Sequence, residues 1–122
     1  MESLNSISLI NKNYEKILDI VSKEFKNIED VKKNCERVDK LLWETINEDK
    51  NICSKILSSY NFIWNNMPKE IFEVKTIDKL NENIYKFALY VDEVSSEYTD
   101  YGFSLFVAFY LKVCKDFLSN CI

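Results

Sequence analysis

Three pairs of acidic neighbours, Glu29/Asp30, Glu48/Asp49 and Asp92/Glu93, are the carboxylates that could share acid–base work in this chain. Cys35, Cys53, Cys114 and Cys121 are its candidate nucleophiles and soft metal ligands. Neither set has the right spacing. Adjacent residues on a helix point about 100° apart and do not face one another, so the acidic pairs are expected on solvated faces. No Cys-x-x-Cys occurs, which leaves a zinc or thioredoxin-like site without its framework. Cys114 and Cys121 share a helical face seven residues apart, too far along one helix for a disulfide. There is no histidine, so a cysteine nucleophile lacks its usual base, and the commonest metal ligand and the ordinary switch near neutral pH are missing too. Gly-x-Gly-x-x-Gly, Walker, Gly-x-Ser-x-Gly and His-Glu-x-x-His patterns are all absent. The residues argue against an enzyme, and they call for no cofactor, no metal and no small-molecule substrate. The thiols are expected to be reduced and packed as small hydrophobes.

The charge balance is equally restrictive. Sixteen basic residues stand against twenty acidic ones, for a net charge of −4. Neither half of the chain is basic, and Arg37 is the only arginine. A nucleic-acid surface needs a Lys/Arg face to contact phosphates, so no nucleic-acid partner is expected. The start, Met1–Ile10, lacks the charged head and apolar core of a signal peptide. With no Asn-x-Ser/Thr sequon either, a cytoplasmic chain is the expectation.

The elements follow from periodicity. A single glycine, a single proline and 47% hydrophobic residues in a chain of 122 favour one domain, residues 1–122, of long helices joined by short polar links. Apolar residues at i, i+3, i+4 spacing predict a helix over Leu4–Phe25 and a second over Ile28–Ile46, although no breaker stands at the boundary near Asn27. The third takes Ile52 to Trp64 and stops at Asn65-Asn66-Met67-Pro68, because proline disfavours helix in the residue before it. Pro68 suits the first turn of a short helix over Pro68–Phe72. Thr76 is placed to cap a helix carrying Ile77, Leu80, Ile84, Phe87, Ala88, Val91 and Val94. A polar loop, Ser95–Asp100, leads to a closing helix over Tyr101–Ser119, which Asp100 can cap.

That closing helix holds the most apolar stretch, Phe103–Cys114, interrupted only by Ser104 and Lys112. It is too short to span a bilayer, which takes about 20 residues. A segment apolar on nearly every side is either the hub of a bundle or a helix that also feeds an interface between molecules. The aromatic content, 14% of the chain, exceeds what one core face per helix consumes, and an exposed apolar patch is a protein-binding surface.

The back half resembles the small poxviral Bcl-2-like proteins. The resemblance rests on Ile52-Cys53-Ser54 opening a helix, the short Pro68–Phe72 segment, the run Thr76-Ile77-Asp78-Lys79, the pattern Ile84…Phe87-Ala88…Val91…Val94, and the closing Gly102-Phe103-Ser104-Leu105…Asp116-Phe117-Leu118. It covers about residues 50–120; the first 50 match only in being helical. It implies an all-α, Bcl-2-like bundle of six to seven helices around a central apolar helix, Ile77–Val94, with Tyr101–Ser119 beside it. Family members are viral proteins of the host cytosol that bind host signalling or apoptosis proteins, several of them dampening NF-κB activation. A partner groove is then expected among Ile56, Leu57, Tyr60, Phe72, Lys79, Leu80 and Ile84. Cellular relatives carry an arginine where this chain has Lys79, and a lysine cannot make the bidentate pair, so weak or no binding to death-motif peptides is expected. Some members dimerise through their first and closing helices. That implies a homodimer here, with Phe106 and Tyr110 facing Ile10. The alternative from another class is a small bacterial or phage helical inhibitor or immunity protein that binds a single protein partner. A wet face on the helix Ile77–Val94 would mark that simpler bundle.

Overall fold

The computed structural model describes the backbone of residues 13, 15–48, 50–94 and 99–120, and the side chains of 13, 15–48, 54–91 and 104–120. Helix α1 is described over 15–21. It is followed by α2 (Ile28–Glu48), α3 (Lys50–Asn66), a 3₁₀ turn (Lys69–Ile71), α4 (Ile77–Val94) and α5 (Thr99–Asn120). The described residues contain no strand, so the chain is all-helical there. The sequence reading anticipates six to seven helices. The described residues hold five α-helices and the single 3₁₀ turn.

The break between α1 and α2 has a local cause. The Asn27 side chain accepts the Asp30 N–H at 2.9 Å, and the Asp30 carboxylate accepts the Lys26 N–H at 2.9 Å. This is close to a capping box, with the carboxylate reaching the residue before the cap, and it satisfies backbone donors that a helix start leaves bare. It begins α2 at Ile28, and Phe25 falls in the link rather than in α1, where periodicity alone had room for it. Thr76 caps α4 as expected: its Oγ1 accepts the Lys79 N–H at 3.1 Å. Pro68, at φ −62° and ψ 141°, is extended and leads into the 3₁₀ turn.

The core is built on α5. Val107, Ala108, Phe109, Tyr110, Leu111, Val113 and Cys114 are all at 0% exposure, with Leu105 and Phe117 beside them. Helices α2, α3 and α4 each pack against α5, and α2 also packs against α3. The apolar run is therefore the hub of the bundle. Its lysine is accommodated at the sheath. The Lys112 ammonium lies 3.8 Å from the Trp64 ring centroid and 4.7 Å from that of Phe72, and bonds Asp116 at 2.9 Å. Cation–π contact and a paired carboxylate offset the cost of covering the charge.

The other helices contribute one stripe each: Ile17, Ile20 and Val21 from α1, Val31, Cys35, Val38 and Leu42 from α2, and Ile56 and Ile63 from α3. Full burial of such a side chain contributes about 1.5–3 kcal/mol. This arrangement corrects the expectation for α4. Ile84, Phe87 and Val91 are buried, but Ala88 is only half-buried, and Tyr85, Lys86, Leu89 and Tyr90 are exposed. The central helix is α5, and α4 is a sheath helix with a wet face. The reason is in the pattern: α4 is apolar on one stripe, whereas α5 is apolar nearly all round.

Two asparagines position α4 against its neighbours. Phe25 N–H donates to Asn81 Oδ1 at 2.9 Å and Asn81 Nδ2 donates to Phe25 O at 2.9 Å, which ties the α1–α2 link to α4. Asn83 Nδ2 donates to Ile71 O at 3.0 Å and holds the 3₁₀ turn on the other side. Thr45 Oγ1 donates to Leu41 O and accepts from Asn13 Nδ2 at 3.0 Å, joining α2 to the start of the chain.

Candidate functional site

The wet face of α4 borders an apolar cleft of about 360 Å³. Phe62 comes from the last turns of α3, Met67, Pro68 and Ile71 from the segment that follows, Phe87 from α4, and Phe109 from the hub. The proline stop makes this cleft. It ends α3 and swings the chain across, so that Met67 and Ile71 reach the same wall. The floor is rigid. Phe87 and Phe109 stack with ring centroids 4.0 Å apart and planes 5° from parallel, and Phe72 meets Phe109 at 5.4 Å. Such ring contacts add about 0.5–1.5 kcal/mol beyond burial.

The rim is aromatic and sparsely polar. Phe62 is 36% exposed and Tyr90 41%. Asn66 and Asn83 are spoken for, since each donates to a backbone carbonyl, Phe62 O and Ile71 O respectively. Lys86 bonds the Glu82 carboxylate at 3.1 Å. Glu82 is also held by Lys79 at 3.0 Å, and these two ammonium groups lower its pKa. The cleft presents apolar surface with one ammonium at its edge. Such a lining suits apolar side chains; no serine, cysteine or carboxylate is part of it.

A second cleft, of about 540 Å³, lies on the other side of α4. Leu18 and Val21 of α1, Ile84 and Ala88 of α4, and Phe106 and Tyr110 of α5 line it. A third, between α3 and α5, is lined by Trp64, Phe72, Lys112 and Asp116 among others.

The anticipated groove residues are not brought together. Ile56, Phe72, Leu80 and Ile84 are core, Tyr60 is half-buried, and Leu57 is exposed on the outer side of α3. Ile84 lines the second cleft and Phe72 the third. Lys79 is exposed and engaged with Glu82 along its own helix. For the anticipated dimer surface, Ile10 lies outside the described residues. Phe106 is half-buried, and Tyr110 is fully buried, with its ring 5.8 Å from that of Phe25. Burial keeps the Tyr110 phenol well above its usual pKa, and the nearby thiols add to the shift. Tyr110 therefore offers no surface to a partner. Sequence reasoning missed Phe62, Met67, Ile71 and Tyr90. Phe62 and Tyr90 belong to the aromatic surplus that one core face per helix does not consume, and that was the available signal.

Among the described residues, no group of three or more Cys, Asp or Glu side chains could hold a metal ion, and no helix is long and apolar enough to cross a membrane. No family model matches this chain, and no curated protein or solved structure is significantly similar to it.

Proposed function

We propose that this chain acts by binding another protein and not by catalysis, and that the cleft between α3, the 3₁₀ turn and α4 receives apolar side chains of that partner. The observation that carries this reading is the exposure of Phe62 and Tyr90 at the mouth of a pocket floored by the Phe87–Phe109 stack. Aromatic rims around apolar floors are where a few anchors supply most of a binding energy. The poxviral resemblance would make the partner a host signalling or apoptosis protein in the cytosol, with NF-κB signalling as the process affected. The alternative is a bacterial or phage inhibitor or immunity protein with a single protein target. The wet face of α4 supports that second class, because it is the face a simple bundle leaves open. Both classes use the same surface.

The test is affinity capture from infected or transfected cells and from bacterial lysate, comparing the native chain with Phe62→Glu and Tyr90→Glu. Both side chains are exposed, so both variants should fold. A partner held by the native chain and lost from both variants supports the reading. A partner retained equally by both variants removes the cleft from the function.

A further inference from the structure

The core contains two thiols that the binding surface does not use. Cys35 of α2 and Cys114 of α5 are both buried and both free. Two ties set the register of these helices. Lys115 Nζ lies 3.5 Å from Asp39 Oδ1, joining positions 76 apart. Phe25, three residues ahead of α2, has its ring 5.8 Å from that of Tyr110, five residues before Lys115 in α5. Position thus advances together along both segments, from Phe25 to Asp39 and from Tyr110 to Lys115, so the helices run in the same direction. At that register Cys114 stands level with Val38, one turn from Cys35. Two facing residues one turn apart on packed helices have Cα atoms about 6–7 Å apart, near the upper end of the span a disulfide bridges. The charge that Cys35 would carry as a thiolate is felt at Cys114, and Tyr110 feels both thiols.

We propose that Cys35 and Cys114 close an intrachain disulfide under oxidising conditions and so lock α2 to the central helix. With diamide as the oxidant, the Cys35 sulfur adds to the N=N bond. The Cys114 sulfur then attacks the Cys35 sulfur and displaces the nitrogen. One S–S bond forms, and the two protons and two electrons of the thiols leave on the reduced hydrazine. Cys35 is the attacking group because it is the less deeply buried of the two and has the Lys115 ammonium nearby; burial still holds its pKa above the ordinary thiol value. In the resting chain both thiols are protonated and reduced. The bond would close a loop of about 80 residues, and long loops gain most from a cross-link.

The experiment treats the native chain with diamide, alkylates the remaining thiols, and maps peptides without reduction. A linked pair containing Cys35 and Cys114 is expected, together with a thermal midpoint raised by roughly 10 °C and restored by reductant. The Cys53→Ser/Cys121→Ser double variant should behave the same way, and Cys35→Ser in that background should give no link. Recovery of Cys35 and Cys114 as alkylated thiols, or linked only to Cys53 or Cys121, overturns the proposal. A Cys35–Cys114 bond that leaves the midpoint unchanged also overturns it, since no lock has formed.

Discussion

Replacing Asn81 tests how the sheath is held to the hub. Its amide makes two bonds with one residue: Oδ1 accepts the Phe25 N–H and Nδ2 donates to the Phe25 carbonyl, each at 2.9 Å. Phe25 lies between two helices and has no helical partner for either backbone group. Its ring is buried at 3% exposure against Tyr110. Asn81→Ala removes both partners at once. A neutral hydrogen bond contributes about 0.5–1.5 kcal/mol net, and an unpaired buried group costs about 1–3 kcal/mol. Asn81 is only half-buried and water can reach part of the gap, so the lower values apply. The expected loss is roughly 2–3 kcal/mol, read from the urea midpoint at constant slope. Asn81→Asp sharpens the test. At neutral pH the carboxylate still accepts from Phe25 N–H but faces the Phe25 carbonyl oxygen without a proton. Its folded-state pKa should be raised, because only the protonated form can donate to that carbonyl. A raised folded pKa gives stability that is complete below the unfolded value, about 3.9, and is lost as pH rises through the folded one. The deficit of Asn81→Asp against the native chain should therefore shrink on acidification. An Asn81→Ala midpoint matching the native one, or an Asn81→Asp deficit that is flat with pH, would refute the reasoning.

Two further outcomes follow from burial. Ala88 lines an open cleft, so Ala88→Leu can send its new carbons there and should cost less than about 1 kcal/mol, whereas Ala108→Leu overpacks the hub and should cost about 1–3 kcal/mol or more; equal urea midpoints for the two would contradict the placement of α4. Tyr60 has its pKa pushed up to about 12, mainly by burial and then by the Asp39 carboxylate. The unfolded chain ionises first, near pH 10, so stability should fall as pH rises from about 10 towards 12, and Tyr60→Phe should flatten that fall in denaturation curves.

Where the sequence was legible, the information was local. Thr76, three residues before Lys79, marks the start of α4, and the bond that forms is the one a capping residue makes. Pro68 marks the end of α3. Asn27 and Asp30 were equally present in the sequence, but neither is a helix breaker, and a helix can restart on side-chain caps alone. What was not legible was long-range. Periodicity says that Ile84, Phe87 and Val91 share a face of α4, but not how much of the rest of that helix is covered. The all-round apolarity of Phe103–Cys114 carried that information, because only a helix touched on several sides needs it. The burial of Ile56, Phe72, Leu80 and Ile84, all placed in the anticipated groove, has the same reason. That groove collected apolar residues from successive helices, and such residues are usually core; the cleft is lined instead by those the core left over.

The same logic locates the surface available to a partner. The excess of aromatic residues had two possible destinations, the hub or an interface on the closing helix. Phe109, Tyr110 and Phe117 go to the hub, and along its described side chains α5 leaves only Phe106, Lys112, Asp116 and Leu118 half-buried, with Lys115 and the last two residues of the helix, Ser119 and Asn120, exposed. The exposed large side chains sit elsewhere, most of them on two helices: Leu57, Phe62 and Trp64 on α3 and Tyr85, Leu89 and Tyr90 on α4, with Leu18 on α1 and Ile28 and Trp43 on α2. A helix buried on all sides draws one stripe from each neighbour and leaves their outer faces unpaired, so surplus apolar residues accumulate on the sheath. Phe62 and Tyr90 are the part of that surplus that borders a cavity, and a cavity gives an incoming side chain more contact than an open face does. A partner of this chain, a second copy included, is therefore expected to meet α3 and α4 before it meets the described part of α5.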